Sequence, residues 1–257
     1  MKETVTIILL DTKEKKIGFT KDYSLISYNY TTQNVKELIS SSIQKDFKIT
    51  SNLFVNCEVD KINNNHIFIS IFDEGDKDNL IWLNIKDIKD TLLLDYLKVI
   101  ESIFDNDGKI SAAILTDLGL CPTCYNKENN NILYGDNSCN MLYENDILEC
   151  FFVGNPRADG HVAISSKKHY KDMMEIPDDL CSEIYIFAKK VMNILKDVFE
   201  AESVYLCTMC DGKMNHFHVQ LIPRYSYEKR GSKNFVKPRK SYVEDTEKLN
   251  KIRRLLK

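Results

Sequence analysis

The chain has 257 residues and carries 35 Lys or Arg against 38 Asp or Glu, a formal net charge of −3 that excludes a global polycation or polyanion. With 43% hydrophobic and 28% charged residues, 13 Tyr and 12 Phe, it can bury a core, which excludes wholesale disorder and leaves room for one or two domains. The first apolar run, residues 5–10, closes at Asp11 and is shorter than a secretory h-region or the ~20 residues of a membrane span, so a soluble, cytoplasmic protein without membrane partners is expected.

Residues 4–10 read as a strand, and residues 15–20 pair back on it after a polar turn. Residues 34–45 place Val35, Leu38, Ile39 and Ile43 at helical spacing. Asn63-Asn64-Asn65 marks a turn before a strand at 67–72. Residues 90–104 repeat the helical pattern with Leu93, Leu94, Leu97, Ile100 and Phe104, and Asp105-Asn106-Asp107-Gly108 breaks it. A domain boundary is placed there, giving a mixed α/β, non-catalytic domain over 1–108 and a second domain over 109–257.

The second half opens with a short apolar helix at 110–118, then Cys121-Pro122-Thr123-Cys124 and an Asn-rich loop at 129–131. Strands are expected at 147–153 and 161–165. A long helix starts after Pro177, with Leu180, Ile184, Phe187, Val191, Leu195 and Val198 as one stripe and acids in its first turn. The last strands, 204–209 and 217–222, flank Asp211-Gly212, a hairpin-type signal. From Arg224 to Lys257 there are 12 Lys or Arg against 4 Asp or Glu, which reads as a solvated basic tail or as a rim that attracts phosphate-bearing ligands.

Eight cysteines spread over a chain without an export signal read as reduced thiols or metal ligands. Cys57, Cys139, Cys150 and Cys181 stand singly among apolar neighbours and read as core filler. Cys121 and Cys124, and Cys207 and Cys210, form Cys-x-x-Cys pairs. Two thiolates on a tight turn suit one tetrahedral zinc, which then needs two more nitrogen or sulfur ligands. His169 and His216 are the best candidates. Closure by Cys207 and Cys210 and a redox dithiol remain alternatives.

The sharpest feature is Asn215-His216-Phe217-His218-Val219-Gln220-Leu221-Ile222-Pro223-Arg224. Period-two alternation puts His216, His218 and Gln220 on one face, with Phe217, Val219 and Leu221 toward the core. Backbone spacing of about 6.5–7 Å between successive residues on that face suggests that they serve one ligand without bonding each other. His161 reads as a packing residue and His66 as a surface residue.

Residues from about Leu120 to Arg254 resemble the histidine triad (HIT) superfamily of nucleotide hydrolases and transferases. The cues are Cys-x-x-Cys, Tyr143-Glu144-Asn145-Asp146, Asn155-Pro156 leading to Gly160-His161-Val162, Lys167-Lys168-His169, and the His-x-His strand ending Ile222-Pro223-Arg224. The resemblance implies an α+β fold, an antiparallel sheet with a packed helix. It also implies structural zinc on Cys121, Cys124, His169 and His216, His218 as nucleophile on a nucleotide α-phosphorus, and a possible homodimer. Gly212 and Asn215 are assigned to nucleotide binding.

Gln220 stands where many members carry a third histidine, which resembles the galactose-1-phosphate uridylyltransferase and dinucleoside polyphosphate phosphorylase branch. Gln has no titratable proton, which favours phosphate-type leaving groups such as those of dinucleoside polyphosphates or nucleoside diphosphate sugars. Val153, Gly154 and Asn155 stand where hydrolase members have a ribose-binding acid. These departures motivate a rival expectation, a zinc-stabilised nucleotide- or protein-binding module without turnover; nucleic-acid end processing is a weaker one, motivated by the basic tail. Residues 1–108 resemble a degenerate Nudix fold, closing on Ile81-Trp82-Leu83-Asn84-Ile85-Lys86-Asp87-Ile88. Its metal-binding helix would fall on 41–46, where only Asp46 is acidic.

Overall fold

The computed structural model describes residues 3–30, 34–60, 65–89, 91–134, 140–210, 212–231, 233, 237–241 and 245–257. Asn63, Asn64, Cys139 and Asp211 lie outside the described residues. The chain divides into two compact units, Met1–Leu120 and Cys121–Lys257.

In the first unit β1 (Glu3–Asp11) is central. It pairs antiparallel with β2 (Lys16–Phe19) and β3 (Ile26–Tyr30) along one edge and parallel with β5 (Asn65–Gly75) along the other. The sheet continues through β4 (Ile49–Asp60) beyond β5 and β6 (Ile81–Asn84) beyond β2. Helix α1 (Val35–Phe47), capped by the Asn34 side chain on Glu37 N, packs Ile39 and Ile43 with Val5, Ile7, Leu9 and Phe68. The opposite face, with Ile8, Leu10, Ile69 and Ile71, is buried too. Burial on both faces explains why residues 5–10 form an unbroken apolar run.

The helical pattern of residues 90–104 yields two helices, α2 (Thr91–Leu94) and α3 (Leu97–Asp105). Tyr96 N bonds Leu93 O at 3.0 Å, a tight turn that buries both Leu93 and Tyr96 and interrupts the helix. Helix α4 (Ala112–Asp117), capped by Ser111, ends the first unit. Strands β3 and β4 have no counterpart among the expected elements. In β4 three register shifts against β5 destroy the alternation that a strand otherwise shows.

The second unit is built on a five-stranded antiparallel sheet. Its order is β10 (Ser203–Cys207), β11 (His218–Arg224), β9 (Val162–Ser166), β8 (Leu148–Phe152), β7 (Met141–Glu144). One face carries α6 (Asp178–Phe199), whose Leu180, Ile184, Val191, Leu195 and Val198 join Phe217, Val219 and Leu221 in one core. Asn145 Oδ1 accepts from Ile147 N and Leu148 N, closing the β7–β8 hairpin.

Two elements correct the expectations. Cys121-Pro122-Thr123-Cys124 is not a bare turn but the start of a helix, α5 (Pro122–Glu128), because Pro122 at its first position is preset for helical φ. The basic tail is not solvated throughout. Its last segment is α7 (Thr246–Leu256), and Leu249, Ile252 and Leu256, three and four residues apart, are buried in the core beneath α6. No helix among the described residues is long and apolar enough to cross a membrane.

Candidate active site

The open face of the second sheet is set by ladder parity. His218 pairs with Ser165 and Ser165 with Glu149; Gln220 pairs with Ala163 and Ala163 with Phe151. Directly paired residues project to the same side, so these six side chains share a face. They line a cleft of about 780 Å³. Phe217, Val219 and Leu221 point the other way and are fully buried.

At one end of the cleft a four-residue cluster assembles. Helix α5 presents Cys121 and Cys124 one turn apart, and His169 and His216 come from the loops after β9 and before β11. The four ligand atoms lie within 4.8 Å of one another. Cys121 Sγ is 3.6 Å and Cys124 Sγ 3.4 Å from His216 Nδ1, and Cys124 Sγ is 3.5 Å from His169 Nδ1. A tetrahedral zinc, with Zn–S of about 2.3 Å and Zn–N of about 2.0–2.1 Å, separates its sulfur and nitrogen ligands by about 3.5 Å. The cluster therefore has the donor set and the edge lengths of such a site. His216 Nε2–H donates to Ser166 O at 2.8 Å, which leaves the Nδ1 lone pair facing the thiols. Burial also lowers the His216 pKa and keeps the ring neutral. Burial pushes the Cys124 thiol up to about 12, a penalty that a bound dication reverses.

Cys207 and Cys210 lie outside this cluster. Cys207 pairs with Gln220 across the ladder, and Cys210 Sγ is 3.5 Å from Thr208 Oγ1. Gly212 and Asn215 bond each other: Gly212 N donates to Asn215 Oδ1 at 3.1 Å and Asn215 Nδ2 donates to Gly212 O at 2.9 Å. Neither lines the cleft. Among the expected core cysteines Cys150 is fully buried, whereas Cys57 and Cys181 are half-buried.

The His218 and Gln220 side chains do bond each other, contrary to the backbone spacing argument, because the Gln side chain spans the gap. Gln220 Nε2 is 3.3 Å from His218 Nε2, and Gln220 Oε1 is 3.1 Å from His161 Nε2. Arg157 N donates to His161 Nδ1 at 3.1 Å. Donor roles then follow along the chain: a backbone N–H has one polarity, so His161 Nδ1 accepts and its Nε2–H donates to Gln220 Oε1. The Gln220 amide N–H must point to His218 Nε2. At the far side His218 Nδ1 donates to His216 O at 2.9 Å. His218 is thereby held as the Nδ1–H tautomer with its Nε2 lone pair toward the cleft.

His161, expected only to pack, is thus also a link in the relay. Burial, and next the Arg239 guanidinium, push its pKa down to about 4, so it stays neutral. Parity could have found it: residues 161, 163 and 165 alternate onto the face of His218. The ion pair of Glu149 with Lys127 at 2.7 Å, in the same cleft, carried no sequence signal because the partners are 22 positions apart.

A family model described as the HIT domain matches residues 135–227. An uncharacterized HIT-like protein of Methanocaldococcus jannaschii is 31% identical over 97 residues, which cover 37% of this chain and 75% of that protein. The chain belongs to the HIT family. The adenylylsulfatase HINT3 of Arabidopsis thaliana is 26% identical over 122 residues, 46% of this chain and 58% of that one. A zinc-bound histidine triad family protein of Mycobacterium smegmatis is 16% identical, with a TM-score of 0.42 over 53% of this chain and 92% of that chain.

Proposed function

We propose that this HIT protein cleaves, or transfers a nucleotidyl group from, a phosphoanhydride of the dinucleoside polyphosphate or nucleoside diphosphate sugar type. The observation that carries this is the oriented chain from Arg157 N through His161 and Gln220 to His218, which keeps His218 Nε2 unprotonated at the cleft, its lone pair held by the Gln220 N–H until that amide turns to a phosphoryl oxygen. Family membership and the adenylylsulfatase name of one relative support the same chemistry.

His218 Nε2 attacks the α-phosphorus, the N–P bond forms and the bridging P–O bond breaks, its electrons leaving with a phosphate-type anion. His216 O, accepting from Nδ1–H, stabilises the imidazolium as it develops. Water or an acceptor hydroxyl then attacks phosphorus and loses its proton to solvent, the P–N bond breaks with its electrons returning to Nε2, and neutral His218 is restored. Gln220 donates to a phosphoryl oxygen but protonates nothing, so the leaving group must depart as a stable anion.

Cys121, Cys124, His169 and His216 would hold zinc, which supplies a structural crosslink between helix α5 and the segment entering β11. In this reading the first unit is a binding or scaffold domain of degenerate Nudix type. Rapid-quench mass spectrometry of zinc-replete protein, mixed with dinucleoside polyphosphates and nucleoside diphosphate sugars, tests the mechanism. The expected result is a transient nucleotidyl adduct on His218 that His218→Asn abolishes. Gln220 and the apolar Val153 in place of an acid favour a second reading, a binding module; tight nucleotide binding with no adduct and no product over hours would establish it instead.

A further inference from the structure

The basic segment after β11 is not used by the chemistry described so far, yet part of it enters the cleft. Lys240 N donates to Pro156 O at 2.9 Å and Arg157 Nη1 donates to Lys237 O, so residues 237–241 are clipped along residues 155–157. This places Arg239 in the wall of the cleft that holds His218 and Gln220. Arg239 Nη1 donates to Asn155 O at 2.8 Å.

Two guanidiniums meet here with nothing negative between them. Among the described residues neither Arg157 nor Arg239 has a carboxylate partner, and Arg157 Nε is buried without a hydrogen-bond partner. Desolvation and the Arg157 charge both lower the Arg239 pKa, the signature of like charges held together. Elsewhere in the same tail several basic side chains are matched: Lys240 with Asp159 at 2.8 Å, Lys248 with Asp245 at 3.2 Å, and Lys237 with Glu228.

The position also matters. Arg239 is anchored on Asn155 O, two residues before Arg157, whose N bonds His161, which in turn bonds Gln220, so it lies on the Gln220 side of His218. That is the side on which the third triad position faces a departing group.

We propose that Arg239, backed by Arg157, forms an anion subsite for the phosphates beyond the attacked phosphorus and selects polyphosphate leaving groups. The subsite rests on the nucleotidyl-transfer reading above. Fixed positive charge takes over the task that a protonated third histidine performs elsewhere: the P–O bond breaks, the bridging oxygen leaves as a phosphate anion, and guanidinium stabilises it without giving up a proton.

Calorimetric titration of inorganic tripolyphosphate into full-length, zinc-replete protein tests the subsite without requiring turnover. Arg239→Ala should weaken binding at least tenfold and Arg239→Lys less, because the charge remains but the fork is lost. Arg254→Ala, which removes an equal charge from the exposed face of α7, should change affinity less than twofold. No tripolyphosphate binding by the wild type, unchanged affinity in Arg239→Ala, or an equal loss in Arg254→Ala each overturns the subsite. The catalytic reading fails separately: Arg239-dependent tripolyphosphate binding without a His218 adduct retains the subsite and removes the enzyme, whereas an adduct with Arg239-independent binding does the reverse.

Discussion

His161 Nε2 and Gln220 Oε1 stand 3.1 Å apart, and that contact decides which end of the Gln220 amide faces His218. Without it the amide is free to turn its oxygen toward the Nε2 lone pair. His161→Phe keeps the volume and removes the donor. It should lower kcat/KM on a dinucleoside polyphosphate by about 10–100-fold, the scale of a misplaced catalytic group. A variant with wild-type kinetics and an intact fold by circular dichroism would remove His161 from the relay.

The same residue makes stability depend on pH. Its folded-state pKa is about 4, against an ordinary 6.5, so between those values the unfolded chain holds the extra proton. Its contribution is complete above pH 6.5 and is lost as pH falls toward 4, on the order of 3 kcal/mol in all. Scanning calorimetry from pH 4 to 8 should show a steeper acid-side decline in Tm for the wild type than for His161→Phe; parallel curves would assign the decline to other groups.

Gln220→His restores a titratable group beside His218. Turnover of a nucleoside phosphoramidate, whose amine leaving group needs a proton, should rise by at least about 10²-fold, the lower range of general acid catalysis. Polyphosphate donors should gain little. Steady-state kinetics on both substrates checks the contrast, and an equal change on both would show that the proton was never limiting.

Removal of the proposed zinc should cost the second unit much of its stability. Cys124→Ala or His169→Ala deletes one of four ligands whose atoms lie within 4.8 Å of one another. Elemental analysis should find one zinc per chain in the wild type and much less in either variant, with Tm lowered to near that of chelator-treated protein. Full zinc in both variants would move the ion elsewhere.

Gly160→Ala probes the turn that delivers His161. Gly160 has φ +71°, and a Cβ there would lie 2.8 Å from Phe199 Cδ2, within a ring packed on Phe152. Strain and clash together should cost about 1–3 kcal/mol, read as a fall in Tm of several degrees, with reduced turnover because its neighbour shifts.

Much of the second unit was legible in the sequence because its signals are periodic. Phe217, Val219 and Leu221 announce the strand and its buried face, and the α6 stripe announces the helix that covers it. The Cys–His cluster was legible because two cysteines three apart can face one ligand and only a few histidines were on hand to complete the set. What was missed depends on side-chain reach or on distant pairing. The length of Gln220 defeats a spacing argument drawn from Cα positions, and Lys127 meets Glu149 only after the sheet has formed. Bulged β4 lost its alternation, and the three buried apolar residues of α7 were masked by the eight other positions of that helix, mostly charged or polar.

His216 contributes two separate atoms to the site: its imidazole faces the thiols, while its carbonyl accepts from His218 Nδ1. The second role belongs to the main chain and is therefore indifferent to the residue's identity. Any other side chain at this position would leave the neighbouring imidazole its tautomer as long as the backbone keeps its course. A change that dismantles the Cys–His cluster thus leaves the orientation of the His218 imidazole in place.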